Sequence, residues 1–273
     1  MLIAQITDTH IKLPGKLAYK KVDTAAMLQR CVQELLALDP QPDLILLTGD
    51  LVDLGRPEEY AHLKSILAPI RQRIIAIPGN HDERGAMRDA FRDGGYLPAA
   101  SRFLQFAIDD EYPLRIVGLD TLIPGQGGGE LCEERLDWLD RTLADKPDTP
   151  TLVLMHHPPF VTGIGHMDKI GLAGRDGFAA VMERHPQVEL ILCGHLHRTI
   201  RAQVGGRPAL TCPSPAHQVA LDIDPDAPSC FRMEPPGFML HWWNDGKLVS
   251  HTAVIGDYDG PYPFFDKDGK LID

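Results

Sequence analysis

Six short runs rich in Ile, Leu and Val recur along the chain: Leu2 to Thr7, Leu44 to Thr48, Ile74 to Ile77, Leu114 to Leu119, Leu152 to Met155 and Val188 to Cys193. Each is followed by a Gly, Pro, Asp or His turn, the pattern of strands buried on both faces. Longer amphipathic stretches lie between them. Asp23 can cap a helix whose apolar positions Ala26, Leu28, Val32, Leu35 and Leu36 fall near helical spacing, and Pro40 and Pro42 end it. Similar patterns predict helices over Pro57 to Leu67, Glu83 to Arg92, Glu133 to Leu143 and Asp176 to Arg184. A β-α-β-α-β order of this kind implies an α/β fold with largely parallel strands at its centre.

At 273 residues, one large α/β domain is expected rather than two equal halves. Beyond His197 the pattern changes to strands over Thr199 to Val204, Arg207 to Cys212, Phe238 to Trp243 and Lys247 to Val254, with hairpin turns at Gly205-Gly206 and Asn244-Asp245-Gly246. The main domain is therefore drawn over residues 1–256, with a mostly antiparallel part at 199–256 expected to form an oligomer contact or a cap. Residues 257–273 read as an irregular aromatic and Pro-rich tail.

Charge narrows the partners. Against 38 acidic residues stand 27 Lys and Arg, a net charge of −11, which opposes binding to long nucleic acid or an anionic membrane surface. No stretch approaches the ~18 apolar residues of a membrane span, and the opening apolar run is too short for a signal peptide. A cytoplasmic protein is expected. The five cysteines never stand in C-x-x-C spacing, so they read as buried reduced thiols rather than as a disulfide framework or zinc site.

Chemistry gathers after the strands. Asp8 and His10 follow the first, Gly49-Asp50 the second, Gly79-Asn80-His81-Asp82 the third, His156-His157 a later one, and Gly194-His195-Leu196-His197 the next. Singly each piece is weak, since Asp-x-His and Gly-Asp are ordinary turns. Jointly they fall at successive strand ends, and parallel sheets place ligands along the edge where those ends lie. Two carboxylates, four imidazoles and one amide carbonyl, with no thiolate, suit Fe, Mn, Zn or Co. Seven such groups exceed one tetrahedral ion, but two divalent ions sharing a bridging carboxylate would use them all.

The series D-x-H, G-D, G-N-H-D, H-H-P-P, G-H-x-H resembles the calcineurin-like metallophosphoesterase superfamily, with spacing similar to its bacterial cyclic-nucleotide and glycerophosphodiester phosphodiesterase branch. Further likeness lies at Gly55-Arg56-Pro57-Glu58-Glu59-Tyr60, Met167-Asp168, His217-Gln218 and Gly260-Pro261. The resemblance implies a four-layer αββα sandwich with two mixed sheets. It also implies that Asp8, His10, Asp50 and His197 bind one metal ion and Asp50, Asn80, His156 and His195 a second, with Asp50 bridging. The expected reaction is in-line attack of a metal-bound hydroxide on a small phosphodiester, either a cyclic nucleotide or a glycerophosphodiester. His81 is then assigned to transition-state charge stabilisation or leaving-group protonation, beside Asp50, while Asp82 either orients that imidazole or stabilises its turn.

Asn80, His81, Met167, Asp168 and His217 are the expected substrate contacts, with His166 beside them, and the resemblance also suggests a homo-oligomer. The Gly125 to Gly129 run lacks the Lys-Ser/Thr of a phosphate-cradling loop and reads as a flexible connection near the mouth. Trp242-Trp243 reads as alternation across two faces of a strand. Two alternatives compete: a phosphomonoesterase or protein phosphatase of the same superfamily, and a non-catalytic interaction module on the same fold.

Overall fold

The strand and helix alternation builds two mixed sheets, seen in a computed structural model that describes residues 1–272. In chain order the strands are β1 (Leu2–Ile6), β2 (Leu44–Thr48), β3 (Arg73–Ile77), β4 (Phe106–Ile108), β5 (Arg115–Gly118), β6 (Gly129–Glu130), β7 (Thr151–Leu154) and β8 (Leu172–Ala173). They continue as β9 (Val188–Cys193), β10 (Arg201–Val204), β11 (Arg207–Thr211), β12 (Gln218–Val219), β13 (Phe231–Arg232), β14 (Gly237–Asn244) and β15 (Lys247–Val254). The helices are α1 (Thr24–Ala37), α2 (Pro57–Leu67), α3 (Arg84–Ala90), α4 (Glu133–Asp145), α5 (Gly165–Asp168) and α6 (Arg175–Arg184).

Local chemistry explains the boundaries. The Asp23 carboxylate accepts from the Ala26 N–H and starts α1, Pro57 opens α2, and Glu83 accepts from the Gly85 and Ala86 N–H groups to start α3. The first sheet runs β15-β14-β1-β2-β3 and the second β10-β11-β9-β7-β5-β4. Side-chain alternation along β2 shows how the layers form. Leu44 and Leu46 point to the other sheet, joining Ile3, Ile75, Ile116, Leu152 and Leu192, while Ile45 and Leu47 pack under Leu28, Val32 and Leu63 of α1 and α2. On the far side Val117, Val153 and Ile191 meet Leu139, Leu143 and Phe178 of α4 and α6. The result is the expected helix–sheet–sheet–helix sandwich.

The strands after His197 do not form an antiparallel unit of their own. β11 lies parallel to β9 and carries β10 to the edge of the second sheet, whereas β14 pairs antiparallel with β1 in the first. β14 is mostly buried and can sit inside a sheet, while exposed β15 takes the edge. Trp243 is buried and Trp242 half exposed, the alternation expected of that strand. Strand β4 was not foreseen, because three residues are too few to show a period. Among the described residues no helix is long and apolar enough to cross a membrane.

Candidate metal centre

Because β1, β2 and β3 run parallel, as do β5, β7 and β9, their carboxyl ends deliver the polar turns to one place. The backbone there bends sharply. Asp8, His10, Asp50, His195 and His197 all have positive φ, between 42° and 69°, in the left-handed region that side-chain-bearing residues seldom adopt. Strain of this sort persists only where neighbours fix it. Here the Asp8 N–H donates to Gly49 O and that of His10 to Asp50 O, both at 3.0 Å, and the His195 N–H donates to the Asp8 carboxylate. Two glycines permit the approach. A Cβ on Gly79 would stand 2.3 Å from the Asp50 backbone nitrogen, and one on Gly194 would stand 2.2 Å from Thr7 Oγ1.

The candidate ligating atoms converge in a buried cluster. His10 Nε2 lies 3.2 Å from His197 Nε2 and 3.7 Å from Asp50 Oδ2, His197 Nε2 is 3.4 Å from Asp8 Oδ1, and His156 Nε2 is 3.3 Å from Asp50 Oδ2. Outer hydrogen bonds set the tautomers. His156 Nδ1–H donates to Thr48 O (2.9 Å), His197 Nδ1–H to His217 O (2.9 Å) and His195 Nε2–H to Ile170 O (3.2 Å). Carbonyls only accept, so each ring donates outward and turns its other nitrogen inward, as metal-ligating histidines do.

Burial pushes the Asp8 carboxyl up and holds His10, His195 and His197 below the usual imidazole range, hence neutral and able to ligate. At Asp50 burial opposes ionisation, but His156, His81 and His10 outweigh it and hold the carboxyl well below its ordinary value. Burial likewise disfavours charge on His156, yet Asp50 and Asp8 lift it to about 9, so a cation bound there would have to displace the proton this ring holds toward Asp50. The buried Asn80 Oδ1 and His156 Nε2 have no hydrogen-bond partner. Inward lone pairs, two buried carboxylates and unpartnered acceptors fit divalent cations held by N and O donors.

His81 borders this cluster. Its N–H donates to Asp50 Oδ1 at 2.9 Å and its Nδ1–H to Asp53 O at 2.8 Å, which leaves Nε2 uncommitted beside a cavity of about 350 Å³. Met167, His166 and His217 line the same cavity. Asp168 does not face it: its carboxylate accepts from the Thr162 N–H and hydroxyl and the Gly163 N–H, pinning the turn before α5. Asp82 has the turn role, accepting from the Gly79 and Leu51 N–H groups and the Tyr60 hydroxyl rather than orienting His81.

Sequence reasoning missed three residues. Tyr19 and Phe231 stack with His217, at centroid distances of 5.3 and 5.1 Å, and form an aromatic rim. Neither lies in a periodic segment that could have signalled it. His157 accepts from the Thr121 hydroxyl at 2.8 Å and donates to Gly127 O at 3.1 Å, so the glycine-rich run at the mouth is tethered to the site. The doubled His-His was the available signal, but period alone assigns only one of the pair to the site.

The comparisons with known proteins agree with this geometry. The family model of calcineurin-like phosphoesterases matches residues 1–199. Over 275 residues, covering all of both chains, the protein is 42% identical to the probable glycerophosphodiester phosphodiesterase GpdQ of Arcobacter nitrofigilis. It is 35% identical to the 3′,5′-cyclic adenosine monophosphate phosphodiesterase CpdA of Escherichia coli, covering 93% of this chain and 90% of that one. The fold is shared with a dimetal phosphatase from Danio rerio, at a TM-score of 0.69 and 15% identity over 94% of this chain and 97% of the other. With five strand ends supplying candidate ligands and similarity extending along its whole length, the chain belongs to the calcineurin-like phosphoesterase family.

Proposed function

We propose that the protein is a metal-dependent hydrolase of small phosphodiesters. The observation that carries this reading is the convergence of Asp8, His10, Asp50, Asn80, His156, His195 and His197 around one buried cluster, with His81 uncommitted at its edge. Asp8, His10, Asp50 and His197 would hold one divalent ion, and Asp50, Asn80, His156 and His195 a second, with Asp50 between them. Such ions supply Lewis-acid polarisation of a phosphoryl oxygen and lower the pKa of water toward neutrality. Two divalent charges exceed two carboxylates, so the loaded site is electropositive and suits a phosphodiester anion.

The chain's own residues do the rest. Thr48 O, His217 O and Ile170 O fix three imidazoles through their second nitrogens. The Asp53 carbonyl fixes the His81 ring so that Nε2 faces the cavity, where it can stabilise charge or protonate the departing alcohol. Names of relatives point to glycerophosphodiesters and cyclic adenosine monophosphate as the substrate types. The free cysteines, three of them buried, fit a reducing cytoplasm, and the exposed Tyr262, Phe264 and Phe265 offer a homo-oligomer contact.

Turnover of bis(p-nitrophenyl) phosphate against p-nitrophenyl phosphate by protein reconstituted with Mn, Co or Zn tests the reading. Faster diester cleavage is expected. Exclusive monoester cleavage would assign a phosphomonoesterase instead, and no turnover with any metal would favour a non-catalytic module.

A further inference from the structure

A second cavity of about 490 Å³ opens on the other side of His81, between Leu54, Glu83 and Arg84 and the loop Pro124, Gln126 and Gly127. It and the cavity bordered by the metal cluster have Asn80 and His81 as common walls. Both spaces therefore border the group proposed to face the phosphoryl centre. A phosphodiester carries two ester arms on that centre. In an acyclic diester the arms diverge and need separate room, whereas in a 3′,5′-cyclic nucleotide both ester oxygens belong to one ring and one cavity suffices.

The second cavity is a built feature. Its loop wall is tethered from below, since His157 donates to Gly127 O, and its opposite wall is closed by Arg84, which pairs with both Asp120 oxygens at 2.6 and 2.9 Å and with Leu122 O at 2.6 Å. The charge of Arg84 is thus balanced by Asp120, through two of its three guanidinium nitrogens. Glu83 takes only backbone N–H groups, and Asp82 only N–H groups and the Tyr60 hydroxyl, so these carboxylates meet no cation. Such walls suit a neutral or cationic alcohol and oppose an arm bearing another phosphate.

Resting on the phosphodiesterase reading, we infer that this second cavity is the subsite for one arm of an acyclic phosphodiester, and that an uncharged or cationic alcohol fills it. Leu54 is half exposed and Gln126 exposed on its walls, so Leu54→Trp and Gln126→Trp fill the space without touching the core or the ligating residues. Metal-loaded wild type and both variants are assayed on bis(p-nitrophenyl) phosphate, with two large arms, and methyl p-nitrophenyl phosphate, with one. Bound metal per chain is measured on the same samples.

With metal content equal, KM for the two-armed diester should rise about tenfold or more in each variant. The methyl diester should change by less than about threefold. Equal effects on both substrates, or no effect on either, would overturn the subsite. For arm chemistry, wild type should cleave glycerophosphocholine about tenfold more efficiently than an analogue whose choline is replaced by a phosphate-bearing alcohol, and the reverse preference would overturn that part. Failure of wild type to cleave any diester would instead overturn the underlying reading, which is a distinct result.

Discussion

Asp50 and His81 lie 31 positions apart and touch through one hydrogen bond, yet they should fail differently. Asp50 Oδ2 faces both His10 and His156, so Asp50→Ala removes an oxygen shared by both proposed ions. Elemental analysis of this variant should show loss of both metals and of turnover. His81 touches the cluster only at its rim, so His81→Ala should keep its metal while kcat falls by about 10²–10⁴-fold. Equal metal loss in the two variants would mean that the roles are misassigned. Gly79 shows the same geometry from the backbone side. A methyl group there meets Asp50 Oδ1 at 2.3 Å, so Gly79→Ala should lower bound metal even though no ligating side chain is altered.

Between elements, the two sheets are joined by an apolar layer and by one polar bridge inside it. Gln5 on β1 donates to Thr48 Oγ1 on β2 and to Cys193 O on β9, and accepts from His241 Nε2–H on β14, whose Nδ1 accepts from the Ser250 hydroxyl on β15. Burial lowers the His241 pKa to about 3, so the folded protein keeps it neutral. Below pH ~6.5 the unfolded chain takes a proton that the folded one refuses, and stability falls by up to about 1.4 kcal/mol per pH unit until pH nears 3. His241→Gln should flatten that acid limb, seen as a shrinking stability gap between wild type and variant in urea titrations from pH 7 down to pH 4.5. An unchanged gap would mean that the ring is not buried in its neutral form. In the apolar layer, Leu152→Ala should cost about 2–5 kcal/mol in the same titrations.

Across the whole molecule, the candidate metal cluster lies where the two sheets meet at their carboxyl ends, and it crowds two buried carboxylates with imidazoles. Divalent ions that bind this folded arrangement and not the unfolded chain would stabilise it by mass action. At ~100 times Kd the gain is about 2.7 kcal/mol, which for a protein of this size raises Tm by about 5–10 °C. Calorimetry before and after chelation should show that shift, restored by Mn, Co or Zn and absent in Asp50→Ala. A Tm indifferent to chelation would argue that the cluster holds no tightly bound ion.

Periodicity made most of the sandwich legible: α2 and β2 begin and end where Pro57 to Leu67 and Leu44 to Thr48 were read, because a proline start and a continuous apolar run are local signals. Residue types at strand ends likewise marked the seven candidate ligands, since parallel strands present their carboxyl ends together. What local signals could not carry was partnership. β14 is an interior strand because β1 accepts it, Asp168 turns from the cavity because Thr162 and Gly163 bind both its oxygens, and Tyr19 reaches His217 across 198 positions only after the chain has closed. The amino acids determined which surfaces had to be buried and which groups could ligate. Only packing in three dimensions decided which neighbours satisfy each hydrogen bond, and so which side chains remain free to meet a substrate.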